Sequence, residues 1–200
     1  MKSQIFWGIL LATIAGEFLL PALLGRRVPG YDSRRMVMSV LGNPKSPVRK
    51  IYNLWLVWLG GFLSLAAVLF FLSVRPVSFP LAVLTLLSIL TFAVGAGLLS
   101  GIFSVNEEKN LSTAASRIHG IGAAIGFMAL LFFPLLDALA AFRQGKALIG
   151  WMDAVSFVLA LGFFTLFVLA DKESFRGTAV SCEGLWQRLS LAAMYIPFLI

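Results

Sequence analysis

Apolar residues dominate the chain in six long runs, and short polar stretches separate these runs. The runs cover approximately residues 5–24, 53–74, 79–103, 119–142, 151–170 and 184–200. A helix of about 20 apolar residues is long enough to span the hydrocarbon core of a bilayer, and the sixth run is somewhat shorter than this. The pattern therefore predicts an all-α integral membrane bundle of six transmembrane helices, forming a single domain over residues 1–200.

Small residues at a spacing of four predict how these helices pack. Gly97 and Gly101 lie in the third run, and Gly122 and Gly126 lie in the fourth. Such pairs let two helix backbones approach closely, which matters because lipid provides no hydrophobic drive for helix association. We interpret both pairs as packing surfaces.

The longest polar stretch lies between the first two runs, over residues 25–53. It carries seven of the sixteen Lys and Arg residues of the chain: Arg26, Arg27, Arg34, Arg35, Lys45, Arg49 and Lys50. Long loops in compact proteins are usually either functional or disordered. Turn-forming residues such as Pro29, Gly30, Asn43 and Pro44 punctuate this one. We therefore expect it to be ordered and to cap the bundle.

The middle of this loop predicts a short helix over residues 33–41. Its apolar residues recur at helical spacing beside Arg34 and Arg35, Ser33 is a suitable N-cap, and Gly42 follows the end. A basic amphipathic segment of this kind lies on a membrane surface among anionic headgroups, so anionic membrane lipids are the partners we expect. Two alternatives stay open: the basic residues are only an orientation signal, or the loop docks a protein partner.

Composition excludes a soluble globular domain. Apolar residues make up 60% of the chain, only 12% of residues are charged, and the mean hydropathy is +0.93. A soluble globule needs far more charged surface than this. The net charge of +7 would indicate nucleic acid as the partner of a soluble protein. Here the charges lie in loops between apolar runs, so we expect lipid headgroups as counter-ions and no nucleic acid.

The distribution of basic residues predicts the orientation of the chain in the membrane. The stretches after the first, third and fifth runs, taken together with Arg188 at the start of the sixth run, hold twelve Lys and Arg residues, and the opposite side holds four: Lys2, Arg75, Arg143 and Lys146. A polar loop over residues 106–109 belongs to the more basic side. By the positive-inside rule, loop 25–52 is cytoplasmic and both termini lie outside.

Polar residues within the apolar runs are informative, because an unpaired charge at membrane depth costs at least ~2.5 kcal/mol. Glu17 is the deepest, ~10 Å below the face that carries the basic loop. Five further polar residues lie near the starts of later runs, toward the same face because successive runs alternate in direction: Asn53, Arg117, His119, Gln187 and Arg188. Asp137, Arg143 and Asp153 lie toward the opposite face, where we predict ordinary interfacial pairing.

The residue inventory excludes several classes of site. A single histidine, His119, excludes a bis-histidine haem and a three-histidine zinc site within one chain, and the single Cys182 excludes a multi-cysteine metal site. Neither a GxxxxGK(S/T) phosphate loop nor a GxSxG nucleophile motif occurs. We therefore expect no metal and no cofactor. His119 as a general base with Glu17 as its partner is a candidate catalytic pair, but no spacing selects a nucleophile, so the question of an enzyme stays open.

Three groups of residues occur in order along the chain. They are VPGYD and SVLGNPKSP in the first loop, followed by Asn53, then Arg117-Ile118-His119, and then GLWQR at residues 184–188. They resemble the motifs of the prokaryotic membrane family catalogued as domain of unknown function 998, from the first run to the last. The resemblance implies a six-helix bundle in a prokaryotic inner membrane. It implies no activity, because the family itself has none assigned.

The polar set predicts a pocket on the basic-loop side that binds a lipid headgroup or another small amphiphile. Its expected lining residues are Glu17, Asn53, Arg117, His119, Gln187 and Arg188. Arg117 and Arg188 are the expected contacts for a phosphate or carboxylate, because a guanidinium offers a bidentate pair of donors. A binding site of this kind needs about 300 Å³ or more. The alternatives are a lipid-modifying enzyme that uses His119 and Glu17, and a non-catalytic interaction or assembly protein.

Overall fold

A computed structural model describes residues 2–106 and 112–200, and this part of the chain is all-α, as the apolar runs predict. Five of its helical stretches are long and apolar enough to cross a membrane, so the chain is a multi-pass membrane protein. The polar loop predicted at residues 106–109 lies, except for Asn106, outside the described residues.

Seven helices follow one another in the described part of the chain. They are α1 (Lys2–Gly25), α2 (Arg49–Val74), α3 (Phe79–Ile102), α4 (Ala114–Leu131), α5 (Phe133–Arg143), α6 (Ala147–Ala170) and α7 (Glu183–Met194). Helices that follow each other pack together, with α2 against α3, α5 against α6 and α6 against α7, while α3 also packs against α4.

Three helices begin four or five residues before the predicted positions. α2 begins at Arg49, α4 at Ala114 and α6 at Ala147. An apolar run measures only the hydrocarbon core, and a helix continues into the polar interface where its first N–H groups find acceptors. Thr113 provides one such acceptor, because its side chain accepts the N–H of Ser116 at 3.1 Å.

The sixth run is divided into a helix and a turn. α7 has 12 residues, which corresponds to about 18 Å along its axis, against about 30 Å for the hydrocarbon core. Pro197, which has no N–H to continue a helix, lies in the 3₁₀ turn Ile196–Phe198 that follows. Met194 and Phe198 are both buried, so this segment packs inside the bundle with little exposure to lipid.

Pro134 divides the fourth run into α4 and α5. Because proline has no N–H, carbonyl groups in the preceding turn need other donors. The hydroxyl of Ser88 on α3 donates to the carbonyl of Ala129 at 2.7 Å. This bond fixes the end of α4 against α3.

Glycines bring three helices together at a π-helical turn in α3, over Ala93–Leu99. Gly97 lies against Gly60 of α2, and Gly95 lies against Gly122 of α4, so a β-carbon at either position would meet backbone atoms. The hydroxyl of Ser100 donates to the carbonyl of Gly95 at 3.0 Å within this turn. These contacts confirm the packing role predicted for the third and fourth runs.

The first loop, residues 26–48, is ordered and packs on the bundle as predicted. The prediction of a helix over residues 33–41 is wrong. The side chain of Asp32 accepts the N–H of Arg34 at 2.9 Å and so holds a turn where the helix would begin. A 3₁₀ turn over Met38–Gly42 takes the place of the helix. The helical spacing that suggested a helix was that of Met36, Val37, Val40 and Leu41, and of these Val37 and Leu41 are buried, as is Met38.

Candidate functional site

Arg188 of α7 anchors the first loop. Its Nη1 donates to the carbonyls of Ser33 at 2.7 Å and Met36 at 3.3 Å, and also to Gly184 in its own helix at 2.7 Å. Its Nη2 donates to the hydroxyl of Tyr31 at 2.7 Å. Burial raises the pKa of Tyr31 above its ordinary value, although the neighbouring guanidinium opposes the shift, so the phenol stays neutral at physiological pH. The guanidinium of Arg188, predicted to contact a phosphate, thus donates its hydrogen bonds to oxygens of the protein itself.

The beginning of α7 meets the same loop through three further contacts. The side-chain oxygen of Gln187 accepts the N–H of Met38 at 2.8 Å. The N–H of Leu185 donates to the carbonyl of Arg34 at 2.8 Å. Gly184 lies directly under the backbone of Met36, where a β-carbon would collide with it. Residues 184–188 therefore form the docking surface for the loop.

Glu17 is buried inside the bundle, where Nε1 of Trp55 on α2 donates to its Oε2 at 3.1 Å. The guanidinium of Arg188 is close enough to act electrostatically on this carboxyl group. Glu17 lines an inner cavity of about 60 Å³ together with Tyr52, His119 and Gln187. The space suits ordered water and is too small for a lipid headgroup.

His119 is buried at the first turns of α4. Its Nδ1 lies 2.9 Å from the carbonyl of Phe103, just past the end of α3, and because a carbonyl only accepts, this nitrogen carries the hydrogen. The carbonyl of Ser100 is a second backbone acceptor close to the imidazole ring. His119 and Glu17 share the inner cavity, but in the described part of the chain no hydrogen bond joins them. A direct acid–base pair is therefore not formed in this state.

A larger groove of about 370 Å³ lies beside the inner cavity, between α4 and α6. Its walls are apolar and include Ala124 and Met128 of α4 and Phe164 and Phe167 of α6. Its polar end, toward the basic loop, is formed by Ser39, His119, Glu183 and Gln187. Ser39, His119 and Gln187 line the inner cavity as well, so the two spaces share a wall. We call this space the α4–α6 groove.

Asn53 lies outside both spaces. Its Nδ2 donates to the hydroxyl of Ser104 at 3.2 Å, and Nε of Arg49 donates to the same hydroxyl at 3.0 Å. Its Oδ1 has no hydrogen-bond donor in the described part of the chain and lies beside Gly42 of the loop. Asn53 therefore joins α2 to the end of α3 and to the loop.

Arg117 lies on another face of α4, at the edge of an apolar surface groove between α3 and α4 of about 570 Å³. The predicted site residues are thus distributed in two groups. Glu17, His119 and Gln187 come together at the inner cavity, whereas Asn53, Arg117 and Arg188 lie elsewhere.

The basic residues of the loop region are all exposed at the same end of the molecule: Arg26, Arg27, Arg34, Arg35, Lys45, Arg49 and Lys50. Arg35 lies 3.8 Å from the carboxylate of Asp32, also at the surface. This basic surface lies at the same end of the molecule as the polar end of the α4–α6 groove.

The walls of the α4–α6 groove and the donor to Glu17 are not predicted by the pattern of the sequence. Ala124 and Phe164 look like ordinary lipid-facing residues, and no local pattern distinguishes them from other apolar positions. The contact between Trp55 and Glu17 could have been predicted, because an indole N–H at membrane depth needs an acceptor. Among the described residues, no group of three or more His, Cys, Asp or Glu side chains is arranged to hold a metal ion.

Comparison with known proteins gives a family and no activity. No curated protein and no solved structure matches the chain. The family described as protein of unknown function DUF998 matches residues 11–200, which is almost the whole sequence. The chain therefore belongs to the DUF998 family.

Proposed function

We propose that this protein binds a membrane amphiphile in the α4–α6 groove, with the acyl chain between the two helices and the headgroup at the end near the basic loop. The observation that carries the proposal is a groove of about 370 Å³ with apolar walls and one polar end. Ligand sites of this size are lined mostly by apolar side chains, with a few polar groups that fix the orientation of the ligand.

The apolar walls suit an acyl chain. Small side chains at Ala123 and Ala124 of α4 leave space that Phe164 and Phe167 of α6 border from the opposite side. An acyl chain that fills this space gains dispersion contacts with both helices. It loses only its contacts with other lipid tails.

The polar end suits a headgroup. His119 and Gln187 are held by the carbonyl of Phe103 and the N–H of Met38, so their positions are set before a ligand arrives. The exposed basic residues of the loop favour an anionic headgroup, in a prokaryotic inner membrane with the loop on the cytoplasmic side.

A photoreactive phosphatidylglycerol, with the reactive group on its acyl chain, tests this proposal in nanodiscs. We expect a higher yield of crosslinks, an excess, at Met128 of the groove than at Val158, which is exposed on α6 outside the groove. Ala124→Phe fills the groove and should abolish the excess, whereas Leu65→Phe on the exposed face of α2 should preserve it. Equal labelling of Met128 and Val158 in the wild-type protein would contradict the proposal.

A lipid-modifying reaction at the same site has weaker support, because Glu17 and His119 bind Trp55 and Phe103 and not each other. His119→Gln separates the two functions in the same assay. Glutamine still donates to the carbonyl of Phe103 but cannot act as a base near neutral pH. We expect the variant to fold and keep the crosslink at Met128. A variant that folds, keeps the crosslink and loses a lipid product formed by the wild type would favour the enzyme.

A further inference from the structure

A tight hairpin between α5 and α6 brings two aspartates together at the end of the molecule opposite the basic loop. Gly145 adopts a φ of +74° just after α5, and the N–H of Lys146 donates to the carbonyl of Ala141 at 2.9 Å. This is the usual way in which glycine ends a helix. Asp137 lies eight residues before Gly145 and Asp153 lies eight residues after it, so both lie at the same depth on adjacent antiparallel helices.

Asp153 is completely buried, with an exposed fraction of 0%. Neither of its carboxylate oxygens has a hydrogen-bond donor in the described part of the chain. The group that it meets is the carboxyl of Asp137, which lies within the range of a side-chain hydrogen bond. Two ionised carboxylates offer acceptors only, so this contact needs a proton or another cation between them.

The surroundings do not supply a cation for both carboxylates. Lys146 is the charged group that acts on Asp137, and it lies at the hairpin outside the helices. The other elements packed against α5 and α6, namely α2, α3, α4, α7 and the turn Ile196–Phe198, contribute no ionisable side chain that acts on the pair in the described residues. At most one of the two negative charges is therefore compensated, and a second would be expensive at this depth.

Asp137, unlike Asp153, reaches a pocket of about 440 Å³. Ser73, Gln144 and Lys146 give this pocket a polar part that can hold water, while Trp7 and Phe70 form apolar walls. Asp153 lies behind Asp137, away from the pocket lining. The arrangement is that of an accessible carboxyl group in contact with an enclosed one.

We propose that Asp137 and Asp153 form a proton-binding site, in which the pair holds one proton that exchanges with water in the adjacent pocket through Asp137. The proton comes from a water cluster in the pocket, bridges an oxygen of Asp137 and an oxygen of Asp153, and returns to the same water when it leaves. The site is separate from the α4–α6 groove, which lies toward the other end of the bundle.

Infrared difference spectroscopy of the full chain in nanodiscs tests the site, with aspartate carboxyl groups carrying ¹³C. At neutral pH we expect the C=O stretch of a protonated carboxylic acid, shifted in heavy water and lost as the pH is raised. Asp153→Asn should remove this band, because its amide donates to Asp137 and replaces the proton. Asp171→Asn, at the exposed end of α6, is the matched control and should leave the band unchanged.

Asp137→Asn provides a second variant should Asp153→Asn not accumulate, and it too should remove the band. The pH titration of the wild-type protein tests the site even if neither variant accumulates. Absence of the band from the wild-type protein at every pH tested would overturn the proposal. A band that persists in both variants would do the same. So would a sodium-dependent spectral change without a protonated-acid band, because a metal cation would then occupy the space between the carboxylates.

Discussion

Three polar side chains that the bundle buries near the basic loop each bind a partner on another element of the chain. Glu17 accepts from Trp55, His119 donates to the carbonyl of Phe103, and Gln187 accepts from Met38. Such bonds are needed at membrane depth, where a polar group without a partner costs several kcal/mol. They also leave His119 and Gln187 in fixed positions at the edge of the groove.

Depth along each helix was enough to predict that Glu17, His119 and Gln187 lie near one another. It was not enough to predict what Arg188 and Asn53 bind, because their partners are loop carbonyls and a serine hydroxyl. Backbone carbonyls occur at every position, so the sequence contains no mark of which ones face a guanidinium. The assignment of Arg188 to a ligand rested on residue type alone.

Arg188→Ala should detach the first loop from α7. Four oxygens would lose a charged donor, and we expect a loss of about 2–3 kcal/mol in stability. Thermal unfolding in detergent and the rate of tryptic cleavage after Arg34 would measure this. Arg176→Ala is the matched control, because Arg176 pairs with Glu173 at the exposed surface and should change neither quantity. Wild-type cleavage rates in Arg188→Ala would show that the anchor is unimportant.

At the scale of helices, the apolar runs predicted the transmembrane elements. A helix that crosses the membrane needs an apolar run about as long as the hydrocarbon core is thick. The pattern failed where local polar bonds compete with a helix. In the first loop, Asp32 accepts the N–H of Arg34 and favours a turn, and the apolar residues Met38 and Leu41 then enter the core from a 3₁₀ turn. Apolar spacing over so short a segment does not distinguish the two structures.

Gly97→Ala should weaken the contact between α3 and α2. A β-carbon at Gly97 would lie 2.5 Å from the Cα of Gly60, where backbone on both sides cannot move aside without separating the helices. We expect a loss of about 1–3 kcal/mol, the usual cost of overpacking, in reversible unfolding measured in mixed micelles. Gly61→Ala is the control, since a β-carbon at Gly61 would meet no atom within 4 Å, and it should be neutral or slightly stabilising. Equal stability of both variants would contradict a close-packed π-helical turn.

At the scale of the whole molecule, the two ends of the bundle differ in chemistry. The end with the basic loop contains the polar end of the α4–α6 groove, and the opposite end contains the pocket that Asp137 lines. The alternation of helices allowed the first set of polar residues to be assigned to one end. The ordinary interfacial pairing predicted for Asp153 is wrong, because Asp153 is completely buried and meets Asp137. The equal distance of the two aspartates from Gly145 signals this contact once the hairpin is known.

The basic residues predict the orientation of these two ends in the membrane, and cysteine labelling would test it. We expect Ser33→Cys, in a Cys182→Ser background, to react with an impermeant maleimide only after the cells are opened, because twelve of the sixteen Lys and Arg residues lie on the side of the first loop. Gln144→Cys, exposed in the hairpin between α5 and α6, is the matched reporter for the opposite end and should react in intact cells.

The two reporters separate an error in orientation from an error in fold. Labelling of Ser33→Cys alone in intact cells would reverse the orientation and leave the bundle intact, and the groove would then take amphiphiles with headgroups in the outer leaflet. Labelling of both positions in intact cells would place the first loop and the α5–α6 hairpin on one side of the membrane. That result would contradict the fold, because Ser33 and Gln144 are separated by α2, α3 and the α4–α5 pair, three crossings of the bilayer.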